Sequence, residues 1–323
     1  MSGVDARVCR FADPHAGSAN LLTLRKTVAG GNGFAARPFT AHYSVDHQPL
    51  TEYLSVESGV DGMKLANIAP AIARVLDYPE ATASVIARFG RDAKLLTLGA
   101  RGRHVPDAAA LDAARLLIAM MVTESPARAP DIMRDFGGLQ LLESLSFYGD
   151  DRPEDIALMF PAGISFDAAV ARVLTSMSDL DSIAWMRRVA RQFGHNDDEP
   201  TTMFPIDVVI DRSGFEAKLC FFDAQIIFTS GILQQIKTRH DRDESEQERL
   251  RREAIFSKYR AMASRYERAI KVTCRVEVDV VAAVASLLSG IRFDEALDSP
   301  EVAARTLNEQ ASRADHAAAV EAG

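Results

Sequence analysis

The chain has few of the residues that mark a secreted, disulfide-linked or membrane protein. Its cysteines, Cys9, Cys220 and Cys274, are odd in number and far apart, so the sequence indicates neither a disulfide framework nor a zinc site. The longest apolar runs, 116–122 and 280–288, are too short to span a bilayer, and the first residues do not resemble a secretory signal. We therefore expect a soluble, cytoplasmic protein with reduced thiols.

Aromatic residues are also scarce, at 7% of the 323 residues, whereas alanine is frequent. Alanine is the best helix former and is depleted in strands, so this composition favours a mainly α protein over a β-sandwich. The net charge of −8 is the opposite of what a protein that coats nucleic acid needs, although it leaves room for a local basic face.

The sequence motifs of the common enzyme classes are absent: there is no H-E-x-x-H, no G-x-S-x-G and no phosphate-binding loop. Gly31, Gly33 and Ala36 have the spacing of a dinucleotide-binding loop, but Pro38 follows at once and the next segment looks extended. We interpret this stretch as a turn. The 135–137 triplet Asp-Phe-Gly lacks the other kinase motifs, so it is interpreted as the end of a helix.

Two groups of potential metal ligands lack the pattern of a metal site. His42, Asp46 and His47 are close in sequence, but no residue is identified that would orient them. The acidic residues 197–199 could bind a hard cation, but they do not have calcium-loop spacing. We therefore expect no metal, no cofactor and no catalytic residue, which favours a non-enzymatic protein.

Changes in composition divide the chain into five expected segments. These are an N-terminal arm with a β-hairpin at 1–58, a helical domain at 59–195, an acidic linker and β-hairpin at 196–240, a long charged helix at 241–297, and a frayed tail at 298–323.

Local signals support several elements within these segments. Pro106 and Asp107 open the clearest helix, which carries an apolar stripe to Met121. Pro70 is expected near a helix start. The residues Asp-Arg-Ser-Gly at 211–214 predict a hairpin turn, and the residues up to Ser230 are expected to extend this β element.

No glycine or proline interrupts the chain between Asp241 and Ser289, and its apolar residues keep a spacing of three and four. This pattern favours one long helix with a heptad-like seam. The alternative for 271–281 is a strand, because β-branched and polar residues alternate there. The seam predicted for oligomerisation consists of Ile255, Tyr259, Met262, Tyr266, Val276, Val280 and Leu287.

Three segments, 86–90, 133–138 and 190–194, share arginine, phenylalanine and glycine at the end of an amphipathic helix. The segment DIMRDFGGLQLLESL (131–145) resembles one turn of an armadillo or HEAT repeat, in which a helix ending in glycine leads into a leucine-rich helix. The order of such helices before a long charged helix is similar to the regulatory region of diaphanous-type formins. This resemblance implies an armadillo-like helical array that binds protein partners.

Three functional hypotheses follow. The first is a non-enzymatic interaction or assembly subunit, which binds a protein partner or a second copy of itself through a solenoid-like surface and the long helix. The second is a nucleoprotein or coat-like subunit that assembles through the N-terminal arm and binds nucleic acid through Arg187, Arg188 and Arg191. The third is an enzyme of unfamiliar type that uses carboxylates near the hairpin, namely Asp207, Asp211 and Asp223.

Overall fold

The computed structural model describes residues 25–26, 39–40, 63–98, 107–146, 159–192, 206–221, 224–233, 246–267 and 272–306. Helices predominate in this part of the chain, and they pack with a five-stranded antiparallel sheet. The expectation of a mainly α protein with a small β element is therefore confirmed.

The elements follow one another in two groups, with helices before and after the central strands. The helices are α1 (Leu65–Val75), α2 (Glu80–Asp92), α3 (Ala110–Val122), α4 (Ala129–Asp135), α5 (Phe166–Ser176), α6 (Leu180–Gln192), α7 (Glu246–Ala263), α8 (Val278–Ser289) and α9 (Phe293–Leu297). The strands are β1 (Arg25–Lys26), β2 (Phe39–Thr40), β3 (Gln140–Ser146), β4 (Ile206–Asp211), β5 (Glu216–Phe221), β6 (Ala224–Thr229) and β7 (Thr273–Val276).

The N-terminal strands β1 and β2 pair antiparallel, with Arg25 opposite Thr40 and Lys26 opposite Phe39. This pairing agrees with the predicted hairpin in the arm. The glycine cluster at 28–38, which this pair brackets, lies outside the described residues.

Helix α3 lies at the centre of the molecule. Every residue from Asp112 to Val122 is buried except Arg115, so the helix is covered on all sides. It contacts α1, α2, α4, α5, α8 and β7. One continuous core runs from Ile68 to Val302 and includes residues of the segments predicted at 59–195, 196–240 and 241–297.

The sheet has the strand order β3-β6-β5-β4-β7, and all its neighbours are antiparallel. Its inner face is apolar: Val208, Leu219 and Ile226 lie opposite one another on adjacent strands and are fully buried. The predicted hairpin turn is confirmed, because the Gly214 amide donates to the Asp211 carboxylate at 2.9 Å between β4 and β5. Strand β6 confirms the predicted extension towards Ser230.

The segment that carries the armadillo resemblance forms one helix and one strand. Helix α4 ends at Asp135, and the residues predicted as a second helix form β3, which pairs with β6. The prediction of a helix there is wrong, because the leucines at 139–145 suit an extended segment as well as a helix and a distant strand is available for pairing. Gly137 permits the tight change of direction, since a Cβ atom there would lie 2.3 Å from the Met133 carbonyl oxygen.

The prediction of one long helix at 241–297 is also wrong. Helix α7 ends at Ala263, β7 occupies Thr273–Val276, and α8 begins at Val278. Pairing of β7 with β4 decides the conformation, with Val276 opposite Val208. The alternative interpretation of 271–281 was therefore correct for its central residues.

The predicted oligomerisation seam does not form one exposed face. Ile255, Tyr266, Val276 and Val280 are buried. The remaining members are partly buried against the core, namely Tyr259, Met262 and Leu287. The apolar spacing therefore arises from burial within the chain, on two helices and the strand between them.

Two smaller expectations need correction. Pro70 lies inside α1, not at its start. The tail predicted to be frayed beyond Asp298 is helical at 300–306. Val302 and Thr306 are fully buried there, and the Thr306 hydroxyl donates to the Val302 carbonyl at 2.8 Å.

An aromatic cluster joins the end of α7 to α4 and the hairpin turn. The ring of Tyr266 stacks on Phe215 at 5.5 Å and meets Phe136 edge to face at 4.8 Å. Its hydroxyl donates to the Asp135 carboxylate at 2.7 Å, and burial together with this hydrogen bond raises the pKa of Tyr266. The Arg128 guanidinium lies over the same ring. These contacts anchor the C-terminal end of α7.

We expect Tyr266→Phe to lower the free energy of unfolding by about 1.5–3 kcal/mol, because the partly buried Asp135 carboxylate loses a hydrogen-bond donor. Tyr259→Phe is the matched control, since the Tyr259 hydroxyl donates to the Gly214 carbonyl in an exposed position. Urea unfolding of both variants measures the difference. Equal losses in the two variants would contradict the importance assigned to the Asp135 contact.

Candidate functional site

The arginines predicted to form a nucleic-acid face do not lie together on the surface. Arg188 is only 5% exposed. Arg187 donates to the Leu297 carbonyl at 3.0 Å, so its guanidinium is engaged with α9. The side chain of Arg191 lies outside the described residues. The prediction of an exposed arginine face is wrong at Arg188, because this residue lies on the side of α6 that packs against the core.

The carboxylates proposed for an unfamiliar enzyme are held by separate partners. Asp207 accepts from the Arg275 guanidinium at 2.6 Å, whereas Asp211 accepts from the turn amide of Gly214. Burial raises the pKa of Asp207, and Arg275 opposes part of that rise. Asp223 lies outside the described residues. Asp207 and Asp211 therefore stabilise the local structure, the first by its ion pair with Arg275 and the second by its hydrogen bond in the turn.

Other predicted ligands cannot be placed. His42, Asp46, His47 and the acidic stretch 197–199 lie outside the described residues. Within the described ranges, no group of three or more histidine, cysteine or acidic side chains is arranged to hold a metal ion. Cys274 is buried, and its burial raises the pKa of the thiol to about 11, which keeps it protonated near neutral pH.

The strongest candidate site is the pair of helices α1 and α2, which are joined by the four residues 76–79. The chain reverses through hydrogen bonds from the Leu76 amide to the Ile72 carbonyl and from the Tyr78 amide to the Ala73 carbonyl. Asp77 has a φ of 50°, in the left-handed region, and Pro79 then precedes the first residue of α2. These features fix a short, stiff turn between two helices.

The two helices pack on each other and on α3 through apolar residues. Ile72 in α1 and Ile86 in α2 are fully buried, as is Ala83 between them in sequence. Gly90 allows α2 to approach its neighbours closely, since a Cβ atom there would lie 2.9 Å from Leu96. Burial of this face leaves the opposite face of α2 open to solvent.

The helix pair carries a small excess of basic side chains, unlike the chain as a whole. Residues 63–98 contain five basic and three acidic side chains, against a net charge of −8 for the full sequence. Two of the basic residues are in ion pairs: Lys64 pairs with Asp107 at 2.8 Å and Arg74 pairs with Glu80 at 3.3 Å. The basic residues are Lys64, Arg74, Arg88, Arg91 and Lys94.

Polar side chains of α3 hold the segment that leaves α2. The Arg115 guanidinium donates to the Leu95 carbonyl at 2.5 Å and to the Asp167 carboxylate at 2.7 Å. The Asp112 carboxylate accepts from the Thr97 amide at 2.8 Å. Asp167 lies at the start of α5 and also accepts from the Ser165 hydroxyl. The helix pair is thus connected to the rest of the core by a partly buried polar network.

No single motif in the sequence marks this helix pair as a site. The predicted helices were largely correct, but the arrangement of α1 and α2 around their turn was not recognised. The Asp-Tyr-Pro sequence at 77–79 between two short amphipathic helices was one signal. The local excess of basic residues was another, hidden by the acidic average of the chain.

Comparisons with protein-family models, curated proteins and solved structures find no match to this chain. No helix among the described residues combines the length and apolar character needed to cross a membrane.

We expect Arg115→Met to lower the free energy of unfolding by about 3 kcal/mol, because it leaves the nearly buried Asp167 carboxylate without its counter-ion. Arg134→Met is the matched control, since the Arg134–Asp131 ion pair is exposed on both sides and is expected to contribute less than about 1 kcal/mol. Chemical denaturation measures both. A loss at Arg115 no larger than at Arg134 would show that the network does not stabilise this region.

Proposed function

We propose that the chain binds duplex DNA through α1 and α2, which act as a helix-turn-helix. The observation that carries this proposal is a four-residue turn between two short helices, the second of which has one buried face and one exposed face. In helix-turn-helix proteins two helices meet across such a turn, and the second enters the major groove.

The charge distribution supports an anionic ligand at this position. Arg88 is exposed and Arg91 is partly exposed in the C-terminal half of α2, and Lys94 is exposed just after it. Basic side chains around a recognition helix neutralise backbone phosphates and release bound counter-ions. Because the chain has an acidic average, DNA binding would depend on these three side chains, which outnumber the one exposed acidic residue among them, Asp92.

The contacts that hold α2 in place support the same function. A helix reads base edges only when its support holds it in a fixed orientation relative to the phosphate contacts. Here Ile86 anchors the buried face of α2, and the Arg115 and Asp112 contacts hold the chain directly after it. The nucleic-acid hypothesis is therefore kept, with its surface moved from α6 to the helix pair.

We expect binding to short duplex DNA that weakens as salt is raised. Replacing both Arg91 and Lys94 by glutamine should reduce the slope of log affinity against log salt by about 2, because each lost phosphate contact removes about 0.9 from it. Fluorescence anisotropy with a labelled duplex measures the slope.

The control variant replaces Arg251 and Lys258 on α7, both exposed, by glutamine. It makes the same change in net charge and should leave the slope unchanged. Equal effects of the two double variants, or no binding at low salt, would contradict the proposal.

A second function, self-association, is favoured by the exposed apolar residues of α7. Leu250 is 53% exposed and Phe256 is 39% exposed, and Ile255 is the only buried residue of this helix. The first half of this 18-residue helix has no buried side chain. Such a short helical segment is only marginally stable by itself, and it gains stability when a partner covers its apolar residues. We assign the assembly role expected from the sequence to this helix, in place of the predicted seam.

We expect the average molar mass to rise between low and high micromolar concentration. The double variant Leu250→Gln with Phe256→Gln should remain monomeric, because the apolar contact area is lost. Size-exclusion chromatography with light scattering measures the mass. Leu98→Gln is the matched control, since Leu98 is 59% exposed but lies outside α7. A wild-type chain that stays monomeric throughout would contradict this assignment.

A further inference from the structure

One face of α2 is exposed along its length. Its side chains are short near the start of the helix and longer towards the end. Ala81, Ser84 and Arg88 are all exposed and follow one another at intervals of three and four residues, so they form one stripe. The opposite side is buried through Ala83, Ile86, Ala87 and Gly90.

The short side chains at the start of the stripe favour close approach to a groove. Ala81 and Ser84 project little beyond the helix backbone, and in helix-turn-helix proteins it is the N-terminal part of the second helix that contacts base edges. Asp92, exposed in the last turn of α2, would be repelled by phosphates. The exposed stripe from Ala81 to Arg88, which ends one turn before Asp92, is therefore the part of α2 that approaches the bases.

Arg88 is the long side chain at the end of that stripe. Its guanidinium lies 5.3 Å from the centre of the Phe89 ring, a contact that leaves its N–H groups available as donors. Glu80, at the start of α2, is paired with Arg74. Asp92, the other acidic residue of α2, lies one turn beyond Arg88 and, among the residues that the structure describes, forms no ion pair with it. Arginine presents two parallel donors that match the O6 and N7 acceptors of guanine.

We propose that Arg88 recognises a guanine in the major groove of duplex DNA, with Ser84 and Ala81 facing the adjacent base pairs. This inference rests on the DNA-binding function proposed above. It assigns sequence preference to the exposed stripe of α2, whereas Arg91 and Lys94 contribute affinity without preference.

Selection from a library of random duplexes by the full chain tests the proposal. Wild type should enrich a motif containing a guanine that, when replaced, reduces affinity roughly tenfold to a hundredfold. Arg88→Ala should bind duplexes with equal affinity whichever base occupies that position. Arg88→Lys should restore part of the preference, because lysine also donates to guanine.

Arg91→Ala is the matched control, and it should weaken binding to all sequences while keeping the same enriched motif. If Arg88→Ala enriches the wild-type motif unchanged, Arg88 does not read a base and the inference is overturned while DNA binding stands. If wild type binds no duplex at low salt, the proposed function fails, and the inference fails with it. Thermal unfolding of Arg88→Ala should match wild type, which separates lost preference from lost folding.

Discussion

The structure depends on the need to cover α3 on every side. A helix with buried residues from Asp112 to Val122 cannot face water along any line, so helices from both halves of the chain and a strand of the sheet must enclose it. Arg115 is the one residue in this stretch that is not buried. Its guanidinium pairs with the Asp167 carboxylate and also donates to the Leu95 carbonyl. One helix therefore supplies the apolar centre of the fold and also the polar support of the candidate DNA-binding pair.

Local chemistry made part of this fold predictable. The turn at 211–214 has residues that form a hairpin by themselves, and the apolar stripe of α3 is visible without any partner. Strand β3 was not predictable in the same way. Its leucines fit a helix equally well, and the strand that selects the extended form, β6, lies far away in sequence. For β7 the alternation of residues was informative, but pairing with β4 decided the conformation.

The candidate site was harder to predict from the sequence than the fold, because it depends on how residues are arranged around each other in space. No residue of α2 is unusual by itself. Arg88 becomes a candidate binding residue only because α2 buries its opposite face and leaves Arg88 exposed. Arg188 shows the reverse error: an arginine beside other arginines was assigned to the surface, although the surrounding apolar residues of α6 place it in the core. Charged residues that are clustered in a sequence form an exposed surface only when their spacing places them all on the solvent-facing side of the helix.

The strand order has a consequence for synthesis. Strands β4, β5 and β6 are consecutive and can pair as soon as they leave the ribosome, whereas the sheet borders come from distant segments. Strand β3 is made earlier and can cover β6 at once. The open border of β4, with Val208 and Ile210 on its inner face, waits until four residues at 273–276 have been translated. During that interval one edge of β4 is unpaired, and such an edge can pair with other chains until the short β7 covers it.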